Sequence, residues 1–164
     1  MPPVSNEPLT VEQVAIYRAV VLDYLKDSKS WINLANQTAP LHLEGPTASG
    51  GCNPGFDLEP NPHPVLHLID PKVAKGMHVT LVDPATQQAL LKKSEGLSPE
   101  ESEHRGFQNG LFTLSEMAFD KDHRRVVVSY SYVCGENCGH GETLILSKTA
   151  GKWKINAMCG EWVT

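Results

Sequence analysis

Residues 124–134 read Arg124-Arg125-Val126-Val127-Val128-Ser129-Tyr130-Ser131-Tyr132-Val133-Cys134, and this stretch decides how the chain folds. Its residues are largely β-branched or aromatic, types that suit a pleated, half-buried surface. With a side-chain period of two, Val126, Val128, Tyr130 and Tyr132 take one face, while Val127, Ser129, Ser131 and Val133 take the other. Upstream, Leu111 to Phe119 has the same character, and Asp120-Lys121-Asp122-His123 supplies a turn between the two runs. Downstream, Gly135 to Gly141 reads as a loop, and Glu142 to Ser147 and Lys152 to Met158 continue as neighbours joined by Thr149-Ala150-Gly151. The C-terminal third is therefore expected to form an antiparallel β-meander.

The N-terminal region carries a helix start. Thr10 and Gln13 form a capping box and Leu9 can staple onto Val14, so a helix begins at Val11 and ends near Asp27. Val14, Tyr17, Val21, Tyr24 and Leu25 recur at helical spacing and define its packed face. The middle of the chain is broken by Gly and Pro, with a short strand from Ile32 to Ala35, a loop over residues 48–55 and a strand from Met77 to Val82. Three cap-then-proline signals, Asp70-Pro71, Asp83-Pro84 and Ser98-Pro99, each open a short helix. The second runs through Leu90 and Leu91 to Lys92 and Lys93 and closes at Gly96; the third has Glu101 as its capping partner and stops at Gly106. The expected fold class is α+β: an N-terminal helix packed on an antiparallel β-meander, with short helices in the middle region, all in a single domain over residues 1–164. No internal repeat breaks this reading.

Composition narrows the function classes. The 164 residues suit one domain and carry 40% hydrophobic and 20% charged residues, the profile of an ordinary folded chain. The net charge is −5 and the 14 Lys and Arg residues are scattered, so no basic stripe is available for nucleic acid. The run Ala19-Val20-Val21-Leu22 falls far short of the roughly 20 apolar residues a membrane span requires. The start, Met1-Pro2-Pro3-Val4-Ser5-Asn6, lacks the basic and apolar segments of a signal peptide. The chain is read either as cytoplasmic or as a mature secreted or periplasmic form after signal removal.

Four cysteines, Cys52, Cys134, Cys138 and Cys159, allow three disulfide connectivities. Cys134 and Cys138 are four residues apart with a glycine after each, so a tight turn can bring them together. A bond there staples the loop and leaves Cys52 and Cys159 as the complementary pair. The competing readings are buried thiols, a zinc site from Cys134, Cys138, His140 and Cys159, and a redox pair. The zinc set lacks close spacing in its second pair. Redox pairs normally have two intervening residues beside a helix N-terminus, which a strand-to-strand loop does not offer.

A second candidate site lies in Asn61-Pro62-His63-Pro64-Val65-Leu66-His67, where His63 and His67 share a face in either a helix or a strand. With His78 and a carboxylate such as Asp70, they could hold zinc or another divalent metal. Neither a Gly-x-Ser-x-Gly elbow nor a phosphate-cradling glycine loop is present. Trp31, Trp153 and Trp162 are read as core or sheet-face residues. Asn36-Gln37-Thr38 is a glycosylation sequon.

The segment from Phe119 to Trp153 resembles a pattern in uncharacterised bacterial proteins that are often exported. Its elements are an aromatic before a charged turn, a strand, a Cys-Gly-x-x-Cys-Gly-x-Gly loop, another strand and Gly-Lys-Trp. Here they are Phe119, Val126 to Tyr132, Cys134-Gly135-Glu136-Asn137-Cys138-Gly139-His140-Gly141, and Gly151-Lys152-Trp153. The Tyr17-bearing helix is similar too. The resemblance implies export. A helix followed by a curved sheet ending in Gly151-Lys152-Trp153-Lys154-Ile155 also resembles the cystatin-like and nuclear-transport-factor-like architectures, which host enzymes and binding modules alike. The functional expectation is a non-enzymatic, exported domain without a resident cofactor. It binds a small molecule or a protein partner, and disulfides fix its meander. The alternative is a metal-dependent hydrolase or lyase with His63, His67 and His78 as ligands.

Overall fold

The computed structural model describes residues 2–26, 31–43, 52–93 and 110–164. Helix α1 (Val11–Leu25) lies against a seven-stranded mixed sheet. The capping box forms as expected: Thr10 Oγ1 accepts from the Gln13 N–H at 3.1 Å, and Gln13 Oε1 accepts from the Thr10 N–H at 2.9 Å. The helix buries Ile16, Tyr17, Val20 and Val21. Ile16 and Val20 lie outside the expected face, because the broad sheet covers a wider stripe than the narrow apolar spacing suggests.

From one edge, the sheet runs β4 (Val79–Val82), β2 (Ile32–Ala35) and β5 (Leu111–Leu114), in that order. They continue into β7 (Arg125–Gly135), β8 (Cys138–Thr149) and β9 (Lys152–Val163), with β6 (Ala118–Phe119) also on β7. The pairings β5–β7, β7–β8 and β8–β9 are antiparallel, as the meander requires. The meander is only part of the sheet, however. β2 runs parallel to both β4 and β5, and its register with β4 pairs Ile32 with Val79 through Ala35 with Val82. A two-strand parallel pair, β1 (Val4–Ser5) with β3 (Leu66–His67), stands apart from it.

The faces obey the two-residue period. Val126, Val128 and Tyr130 join Leu144, Leu146, Trp153 and the buried side of α1 in one core. On the opposite face, Val127 and Ile145 are covered by Cys52 with Phe56 and Leu58. The Arg125 guanidinium lies 4.0 Å from the centre of the Phe56 ring.

Several boundaries differ from expectation. No loop spans Gly135 to Gly141: β7 and β8 extend through it, with Gly135 paired to Cys138 across Glu136 and Asn137. Gly141 is buried, and a methyl group there would clash with the Trp162 indole, so the position takes only glycine. Asp70-Pro71 opens a single 3-10 turn (Pro71–Val73), whereas Asp83-Pro84 opens α2 (Pro84–Lys93). The expected helix from Ser98 to Gly106, the closure at Gly96 and the helix end at Asp27 lie outside the described residues.

The expected strand Leu111 to Phe119 is interrupted between Leu114 and Ala118. There the Ser115 carbonyl accepts a 2.7 Å hydrogen bond from the Tyr17 hydroxyl, inside the core. Ser115 Oγ accepts the Ser129 N–H at 2.8 Å, so a side-chain oxygen keeps β7 bonded where the carbonyl has turned away. Burial, and to a lesser degree the charge of Glu116, push the Tyr17 phenol well above its ordinary value and keep it a donor. Further on, Asp120 is buried and closes the turn into β7. It accepts from the Arg124 and Arg125 N–H groups at 2.9 and 3.1 Å and from Arg125 Nε at 3.0 Å. Burial opposes its charge, but these donors and the guanidinium outweigh that and hold the carboxyl below its usual range.

Both contacts are testable. Tyr17→Phe leaves the buried Ser115 carbonyl unpaired and should lower unfolding free energy by about 1–3 kcal/mol, read by urea denaturation; no change would show that the bond is dispensable. Because the Asp120 carboxyl is lowered in the folded state, its contribution is present above the ordinary aspartate range, near pH ~4, and is lost as pH falls. Urea midpoints of the wild type and Asp120→Asn should therefore differ at pH 7 and converge towards pH 2.

Candidate functional site

The interruption after Leu114 shapes a cleft of about 670 Å³. Its floor is Glu116, Met117, Ala118 and Phe119, and its two walls are extended segments around Pro40 to His42 and Glu59 to Pro64. The first wall is pinned by reciprocal backbone bonds, Ala39 N–H to Leu114 O at 2.9 Å and Glu116 N–H to Ala39 O at 2.7 Å. The second is pinned where the Glu59 N–H meets Phe119 O at 2.8 Å. Pro60, Pro62 and Pro64 lack the N–H groups a strand would donate, so this segment runs beside the sheet without extending it.

Three polar side chains meet beside the floor. Thr38 Oγ1 donates to Glu116 Oε2 and accepts the His67 N–H at 2.9 Å. Both Glu116 oxygens lie 2.9 Å from His67 Nδ1. The Glu116 and His67 side chains are each 15% exposed, so little water screens the pair. A second carboxylate on the wall, Glu59, lies 3.0 Å from His123 Nε2, and the His123 ring stacks on Phe119 at 4.4 Å between centroids.

The residues singled out in the sequence separate. Cys134 and Cys138 stand at disulfide distance across the β7–β8 turn, and so do Cys52 and Cys159, each pair with Cα atoms 5.1 Å apart. That arrangement divides the zinc set of Cys134, Cys138, His140 and Cys159, because Cys159 faces Cys52. His63, His67 and His78 do not converge either. His63 is exposed, His67 is held by Glu116, and His78 stacks on Trp31 at 5.0 Å between centroids. Asp70 is occupied in accepting the Lys72 N–H. Among the described residues, no three His, Cys, Asp or Glu side chains are grouped as a metal ion would need. Trp31 is 63% exposed, contrary to the expectation of a core or sheet-face role, while Trp153 is buried.

Sequence patterning does not single out Thr38 or Glu116. The available signal is the polar pair Ser115-Glu116 inside an apolar strand, where alternation fails. A separate cluster of Tyr24, Phe112, Tyr130, Tyr132 and His140 packs near the end of α1. Burial, then the charges of Tyr132 and Glu142, push Tyr24 up to about 12, and burial with Glu142 raises Tyr130 further. These phenols stay protonated near neutral pH and serve packing. No protein-family model, curated protein or solved structure matches the chain.

The cysteine pairs differ most in the loop they close. The separations are 107 residues for Cys52 and Cys159 and 4 for Cys134 and Cys138. On chain entropy, replacing both Cys52 and Cys159 by serine should cost about 4–5 kcal/mol, against about 2 for the hairpin pair. Equilibrium denaturation of the two double variants checks this, and equal losses would refute the ranking.

Proposed function

We propose that the protein is an exported, non-catalytic binding domain that receives a small, mainly apolar molecule in the cleft over Glu116 to Phe119. The cleft carries this reading. Its volume of about 670 Å³ lies within the ~300–1,000 Å³ of small-molecule sites, and apolar side chains make up most of its lining around a few polar groups. Glu116, which lines the cleft, is held by His67 and Thr38 behind it, so this carboxylate is already oriented before a ligand arrives. Export draws support from two cysteine pairs at bonding distance, which suit an oxidising compartment, and from the resemblance of the Cys134 to Gly141 segment to exported proteins.

Two measurements test it. Nile red, an uncharged apolar dye, should bind saturably with enhanced emission. Ala118→Phe, which fills the floor, should abolish this while leaving the unfolding midpoint unchanged. Dye binding indifferent to that substitution would remove the cleft from the function. Protein recovered from an oxidising compartment should expose no free thiol when denatured without reductant; four titrating thiols would remove the support that the cysteine pairs lend to export.

A further inference from the structure

The charge of the cleft points to the class of ligand. Its lining includes the carboxylates of Glu59 and Glu116, and among the described residues neither Lys nor Arg lines it. Both carboxylates are held by imidazoles, Glu116 by His67 Nδ1 at 2.9 Å and Glu59 by His123 Nε2 at 3.0 Å. An imidazole N–H orients a carboxylate by donating to it, and the described lining residues include no Lys or Arg whose fixed charge would cancel it. Among the described residues, the side-chain donors of the lining are His42 and Asn61. Pro40, Pro60 and Pro64 have no N–H, and the N–H groups of Glu59, Leu66 and Glu116 are already given to Phe119 O, Pro3 O and Ala39 O. A ligand carboxylate or phosphate entering here would shed water beside two carboxylates, with no Lys or Arg among the described lining residues to offset them, a costly exchange for an anion. A cation would find two oriented carboxylates, one of them little screened by water.

We infer that the cleft takes a small molecule bearing an ammonium group on an apolar body, with the ammonium against Glu116 and Glu59. This rests on the binding reading of the cleft and adds the sign of the ligand's charge. Three probes that share a tail separate the two statements: hexylammonium, hexanol and hexanoate, titrated into the 15N-labelled full chain while the backbone amides of Met117 and Ala118 are monitored.

Hexylammonium should bind at least about tenfold more tightly than hexanoate, with hexanol between them, and Glu116→Gln should cut that preference to about threefold or less. Should Glu116→Gln fail to fold, Glu59→Gln gives the same comparison on a side chain at the surface. If all three probes shift these amides with equal affinity, or hexanoate binds best, the cleft remains a binding site and the charge assignment is wrong. If none shifts them, the binding reading fails and takes this inference with it.

Discussion

A single buried hydrogen bond, from the Tyr17 hydroxyl to the Ser115 carbonyl, ties the helix to the interruption of the sheet after Leu114. A buried carbonyl cannot be left unpaired without cost, so the turned-away Ser115 oxygen requires a donor from another element. Tyr17 supplies it from the buried face of α1. The Ser115 hydroxyl oxygen then accepts from Ser129 in the carbonyl's place, and β7 keeps its bonding. The interruption is therefore satisfied on both sides, by the helix above and the neighbouring strand beside it.

That break also sets the position of Glu116. Had β5 run on unbroken to Phe119, residue 116 would alternate with its neighbours as a strand position. Instead its carboxylate is clamped between Thr38 and His67, which come from two chain segments far apart in sequence. The proline-bearing wall from Glu59 to Pro64 then stands off the sheet, because it lacks the donors to zip onto it. Cleft and polar network thus share one origin, a strand that changes course at a serine.

On the far side of the sheet, the Cys52 segment lies over Val127 and Ile145, with Cys159 of the edge strand β9 beside it. That pair closes a long stretch of chain onto the last strand, and it anchors the segment that leads into the second wall of the cleft. The Cys134 and Cys138 pair acts more locally, at a two-residue turn that already has the ladder of β7 and β8 on either side.

Much of the fold was legible in the amino-acid order, because it depends on interactions between near neighbours. The capping box at Thr10, the short strand Ile32–Ala35, the helix after Asp83 and the alternating faces of β7 each rest on periodicity or on a cap a few residues away. What no local pattern carries is the pairing of distant segments. The parallel placement of β2 between β4 and β5, the seat of Trp31 on His78 at the surface, and the meeting of Thr38, His67 and Glu116 are contacts between residues tens of positions apart. Histidine spacing could suggest His67 as a site residue, but its partner was chosen by tertiary packing. The side chain nearest its Nδ1 belongs to a carboxylate that only the break at Ser115 turns towards it.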